Sequence, residues 1–298
     1  MFDGMARKAR SRPGTQPGEA QGTVVSLDRH RAQSRRTAGE RGTGRTVSGI
    51  QRATEAAEAT AAQALDRALH AKTPEARAKA AREGLSGHPD PDTQALLLRQ
   101  LYLGELERGA LDHAYEAACQ AISLRGPHDP MIDVAHHDAA RACQARAAWD
   151  RAVEHLRQAI AASPPERRLL HLSTLASLLH AVGRSAEAIA PLERALEAPG
   201  TLEPLLRAQL VLAHHATGKS RDSELDLAFH ELSQDSSGEG YGRFVLGELA
   251  SRMGDRVRAR LHLEAFLGKV RKSRPAAQAA LAAEVACATA TLGKSVWN

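Results

Sequence analysis

Histidine is the residue type best placed to do chemistry in this 298-residue chain, which carries 14 of them. Two pairs are adjacent, His136-His137 and His214-His215. Neighbours on a helix point about 100° apart, so neither pair brings both rings to one metal ion. The zinc-protease spacing His-Glu-x-x-His is absent, and Glu154-His155 reverses its order with no useful group nearby. Gly39–Gly49 is glycine-rich but has no strand before it and no lysine–serine pair after it, so it does not read as a phosphate loop. Ser185 and Ser220 follow turn residues and read as caps or turn positions. Cys119, Cys143 and Cys287 lack metal-ligand spacing and sit in alanine-rich helical patterns, as small core residues do. No nucleophile, base and orienting group emerge together. The expectation is therefore no enzyme, no catalytic residue, no metal site and no cofactor.

What positions these side chains is a recurring helix pair. Gly109, Gly183 and Gly254 each end one apolar helical pattern, and Ala114, Ala188 and Ala259 follow each by five residues as a second begins. Units of about 35–38 residues repeated along a chain are the signature of a helical solenoid. The units read as 52–88, 95–130, 133–165, 169–199, 204–233 and 240–272, with a final helix over 275–292. Thr73-Pro74-Glu75 is a helix start, with a threonine cap and proline at the first helical position. Leu172, Leu175, Ala176 and Leu179 share one face before Gly183; Ala188, Ile189, Leu192, Ala195 and Leu196 share one after it. Pro199-Gly200 ends that unit. Ser233–Gly240 reads as the most deformable joint between units, and the final helix as a cover for the exposed edge of the last one. The expected class is all-α, a solenoid of antiparallel helix pairs.

Charge divides the chain unevenly. The net charge is +5, but residues 1–50 alone hold ten basic and four acidic residues, a net +6, leaving −1 for the remainder. That near-neutral body is no nucleic-acid footprint; only non-specific phosphate contact through residues 1–50 is compatible with it. The first 50 residues are rich in Gly, Ser, Thr and Arg and poor in apolar side chains, so a disordered basic tail is expected. Within it, Val24–Arg36 reads equally as linker or as a short docking segment. No 18-residue apolar run and no secretory leader is seen, and a cytoplasmic location is expected. The Ala and Arg bias suits a GC-rich bacterium.

Ala176, Gly183, Ala188, Leu192, Ala195 and Pro199 together resemble the tetratricopeptide repeat. Ala140, Ala152, Leu156, Ala159 and Pro164 match it in the preceding unit, with Ala147 where glycine is usual. Tyr102, Gly109, Ala114, Ala118 and Ala121 match it earlier; Gly247, Gly254, Ala259, Leu263 and Phe266 match it later. The resemblance implies a right-handed superhelix whose first helices line a groove for a partner peptide or helix. Its inward positions here are Arg99, Leu103, His137, Arg141, Ser177 and His180. The lysine–asparagine set by which one subclass grips a partner's terminal carboxylate is missing from the matching positions. The function implied is a non-enzymatic protein-binding scaffold or adaptor. The alternative is a regulatory or sensory repeat protein of a signalling or transcription system, acting through a separate output partner.

Overall fold

The computed structural model describes residues 46–127, 129–197 and 202–294, with side chains from Thr54. The expectations for residues 1–45 of the basic tail, for Val24–Arg36 and for Pro199-Gly200 lie outside the described residues; residues 46–50, expected in the disordered tail, are instead the start of a helix. The chain divides into residues 1–51 and residues 52–298, and the repeated helix pairs lie in the second unit. Among the described residues all regular structure is helical. The helices are α1 (Thr46–Leu69), α2 (Pro74–Leu85), α3 (Pro91–Glu107), α4 (Leu111–Leu124), α5 (Ile132–Ala145), α6 (Trp149–Ala162) and α7 (Pro165–Ala181). They continue with α8 (Ser185–Leu196), α9 (Glu203–Ala216), α10 (Asp222–Gln234), α11 (Gly242–Arg252), α12 (Arg256–Arg271), α13 (Pro275–Ala280) and α14 (Ala282–Lys294).

From α3 onward, each pair is folded back by one residue in the left-handed region. Gly109, Gly183, Gly218 and Gly254 have φ of 76°, 80°, 72° and 76°, and Ala147 takes the same role at 54°. Around Ala147 the ending helix is closed by two bonds, from the Ala147 amide to the Gln144 carbonyl at 3.0 Å and from the Ala148 amide to the Cys143 carbonyl at 2.9 Å. The same second bond recurs at Ala110, Arg184, Lys219 and Asp255. This is the Schellman arrangement, which satisfies carbonyls that a helix end would otherwise leave unpaired. Helix starts are fixed by side-chain caps: Thr73 accepts from the Ala76 amide, and Asp90 from the amides of Asp92 and Thr93.

Small residues let the helices approach. A Cβ on Gly104 would meet the Pro74 carbonyl at 2.9 Å and Ala78 at 3.0 Å, so α3 crosses α2 with no room for a side chain. Gly247 of α11 lies equally close to Leu263 of α12. Ala140, Ala152, Ala176 and Ala188 are fully buried where neighbouring helices cross, and Leu156, Leu178, Leu179 and Leu192 fill the space around them. Successive pairs stack, and first helices lie side by side: α3 packs on α5, α7 on α9, and α9 on α11. The result is a solenoid of antiparallel helix pairs.

Two expectations about its C-terminal part are corrected. Ser233–Gly240 is a packed turn and not a loose joint. Asp235 caps a short 3-10 helix, Ser236–Gly238, by accepting from the Ser237 amide. Added Cβ atoms on Gly238 and Gly242 would collide with the carbonyls of Leu232 and Ser237. The final helix also differs. It breaks at Leu281 into α13 and α14. It then lies not only against the last pair but back along the first helices, α13 on α3 and α5, and α14 on α5, α7 and α11. The reason is chemical: the strip of alanines fits between helices, and polar groups on α5, α7 and α11 bind it.

Replacing the fully buried Leu192 with alanine is expected to cost about 2–5 kcal/mol in denaturant unfolding; a cost under about 0.5 kcal/mol would place that side chain at the surface. Ala147→Gly relieves a left-handed alanine, and the freer unfolded chain takes back only part of the gain. A net stabilisation of roughly 0.5–1 kcal/mol is expected, and a destabilised variant would contradict the strained turn.

Candidate functional site

The first helices α3, α5, α7, α9 and α11 together form one face, an inner face on which α13 and α14 rest. The six residues expected to line a groove all belong to it: Arg99 and Leu103 on α3, His137 and Arg141 on α5, Ser177 and His180 on α7. Their roles differ. Arg99 is half exposed and pairs through Nε with Asp138 at 3.2 Å. Leu103 borders the same apolar cluster as Ala276 and Ala279 of α13. Arg141 donates from its guanidinium to the Ala276 carbonyl at 3.2 Å, a grip across 135 residues of sequence. Ser177 donates to the Glu284 carboxyl of α14.

His180 is a core histidine, and His137 is a partly exposed one tied into a buried network. His137 meets His171 of α7 with a 2.9 Å contact between the two Nδ1 atoms, and His171 donates from Nε2 to Asp133 at 3.0 Å. Arg167 forks onto that carboxylate with two bonds of 2.8 Å. Burial pushes Asp133 upward, but the Arg167 and His171 hydrogen bonds outweigh it and hold the carboxyl below its usual range. Burial, with His171, Arg141 and Arg99 nearby, pulls His137 down to about 3. His180 is pulled to about 4 by burial and by Arg252. It is thus neutral at ordinary pH, and its 3.9 Å approach to Glu248 is not an ion pair. The sequence argument that His136 and His137 diverge holds: His136 turns to His155 of α6, at 3.3 Å, while His137 turns to α7. The Asp133–His171 pair has acid–base character, but the group that continues it is another histidine, not a nucleophile. Among the described residues no cluster of three or more His, Cys, Asp or Glu could hold a metal.

Beside Ser177, the sequence did not single out the residues that bind α14. Gln209 of α9 donates to the Tyr241 hydroxyl at 3.0 Å. That hydroxyl lies 2.7 Å from the Ser177 hydroxyl, which donates to Glu284. Three successive units thus contribute one line of donors ending on a buried carboxyl. Burial pushes Glu284 above the usual carboxylate range despite the Ser177 bond. Burial raises Asp138 in the same way, against the pull of Arg99. Further along, Thr291 donates to Glu248 at 3.0 Å. Glu284 is the one acid in an otherwise alanine-rich helix, which is the signal that sequence could have offered. Its donor Ser177 stands 107 residues earlier, and no spacing rule connects the two.

Clefts elsewhere are shallower in chemistry. One of about 570 Å³ between α6, α7 and α8 has an apolar floor of Leu172, Leu175 and Leu179 beside Arg157, Arg168 and Arg194. Another of about 420 Å³ between α9 and α10 is bordered by Leu210, Val211 and Leu227. Neither contains an acid–base pair placed for reaction.

Comparison with known proteins adds little to this geometry. No known family model matches the chain. No curated protein matches it either. Among solved structures, that of YrrB, a TPR protein with an unusual peptide-binding site, aligns with 68% of this chain and 98% of its own at 16% identity and a TM-score of 0.43. At that level no residue role or ligand transfers from YrrB to this chain. No described helix is long and apolar enough to cross a membrane.

The buried neutral histidines set a pH test. His180 ionises near 6.5 when unfolded and only near 4 when folded, so its contribution is complete above the unfolded value and is lost as pH falls toward 4. Asp138 and Glu284, raised by burial, act in the opposite sense, so the comparison must be between variant and parent. His180→Leu should lessen the loss of stability between about pH 7 and about pH 4.5 by on the order of 2 kcal/mol in denaturant titrations. An equal loss in both proteins would mean that the folded ring is solvated.

Proposed function

We propose that this chain is a non-enzymatic protein-interaction scaffold whose inner face receives a helical or extended segment of a partner protein. Arg99, Leu103, His137, Arg141, Ser177 and His180 mark the face on α3, α5 and α7. The observation that carries the reading is that this face already holds a helix. It grips α13 through a backbone carbonyl at Arg141 and α14 through a side-chain carboxyl at Ser177. Binding a backbone carbonyl is sequence-tolerant, whereas seating a carboxyl is selective; together they suit recognition of a segment carrying a carboxylate.

Arg99 and Arg141 are the partly exposed cations of the set, His137 is partly exposed beside them, and His180 is buried behind. The apolar component is modest and small-sided, in keeping with Leu103 and the alanines that meet it. An acidic, small-residue helix therefore suits the face better than an aromatic-rich peptide.

The test is recovery of partner proteins with the tagged full-length chain. Arg99→Glu with Arg141→Glu should lower recovery of directly bound partners at least tenfold while helicity is kept. Leu227→Arg, on the exposed side of α10, should leave it unchanged. Undiminished recovery by the double variant would remove the inner face as the docking surface.

A further inference from the structure

Resting on that reading, we propose that α13 and α14 are a built-in occupant of the inner face, and that the partner is a small-residue helix bearing a carboxyl side chain, which replaces them. The segment sits where a ligand would, and it does so through ligand-like contacts. Ser177, on α7, donates to a carboxyl from α14, and Tyr241, before α11 and 64 residues later, backs that serine with its hydroxyl. Gln209 of α9 supports them from the unit between. Glu284 is 4% exposed and forms no ion pair among the described residues, so its seat is made of neutral donors alone. A seat of that kind recognises a carboxyl by hydrogen bonds and geometry and does not need this particular helix to supply it.

The segment is also held less firmly than the array beneath it. No residue of α13 is fully buried. In α14 the fully buried side chains are Ala283, Glu284 and Ala288, and an alanine contributes little apolar area; its larger apolar side chains, Val285, Cys287 and Leu292, are only partly buried against the core. In α11 and α12, by contrast, Phe244, Leu249, Leu263 and Phe266 are fully buried. Desolvating an unpaired carboxyl weakens docking further. Arg141 Nε is buried without a hydrogen-bond partner beside the segment, so the resident helix leaves part of the face's donor capacity unused. A competitor that fills the same seat faces a modest barrier and not the stability of the whole fold.

The experiment uses the full-length chain. Hydrogen exchange followed by mass spectrometry should show peptides from 275–294 exchanging at least tenfold faster than peptides from 244–270. Equal protection would make the segment part of the core and overturn the proposal. Ala288→Arg places a long cation where no space exists and should expel α14. A labelled synthetic peptide of residues 275–294 should then bind the variant at least tenfold more tightly than the parent, and the same peptide with Glu284→Lys should bind neither. Failure of the native peptide to bind a variant that keeps its helicity would overturn it as well. If the variant does not fold, the exchange comparison in the parent decides. The two readings separate. Core-like protection of 275–294 with partners still released by the Arg99/Arg141 reversal removes only the resident-helix proposal. Undiminished partner recovery by the Arg99/Arg141 reversal removes the inner face as a docking surface and both readings with it.

Discussion

The architecture depends on a backbone constraint at one residue in each helix pair from α3 to α12. At Gly109, Ala147, Gly183, Gly218 and Gly254 the chain takes a positive φ, and the helix closes with a bond that reaches back beyond the ordinary helical span. That turn sends the second helix back along the first at a fixed offset. The offset then decides which side chains meet. It brings Gly247 against Leu263, and it sets Ala152 and Ala188 where only small groups fit. Because the same turn recurs, the same crossing recurs, and the first helices of neighbouring units come to lie side by side.

From that repetition comes a face with unusual reach. A polar group at a given position of one first helix finds its counterparts on the next ones. Ser177, Gln209 and Tyr241 form such a line, and Asp133, His137 and His171 form another between α5 and α7. The two lines do different work. The histidine line ends on Arg167 and joins two units. The hydroxyl line ends on a carboxyl that belongs to another part of the chain. That difference is what supports the proposal that the inner face docks a partner segment.

The sequence was informative about the turns and the core. Glycine followed by alanine five residues on marks where helices end and begin, because the left-handed turn favours glycine and the crossing after it tolerates only a small side chain. Even the exception was legible: Ala147 stands in a glycine position and adopts the glycine conformation. Gly238 and Gly240 misled, since glycine suggests freedom in a loop, and Gly238 is there because the Leu232 carbonyl comes too close for a Cβ. The separation of His136 from His137 could be read from helical geometry alone, but not which residues each would meet.

What the sequence by itself determined is therefore local: helix starts and ends, and the faces that must be buried. These depend on spacings of a few residues, and backbone sterics and helical periodicity fix them without reference to the rest of the chain. What only the tertiary structure decided is the course of residues 275–294. An alanine-rich helix with one acid has little preference of its own and packs on whatever surface offers matching grooves and donors. Here that surface is built from helices more than a hundred residues earlier, at Arg141 and Ser177, and it exists only once the units have stacked.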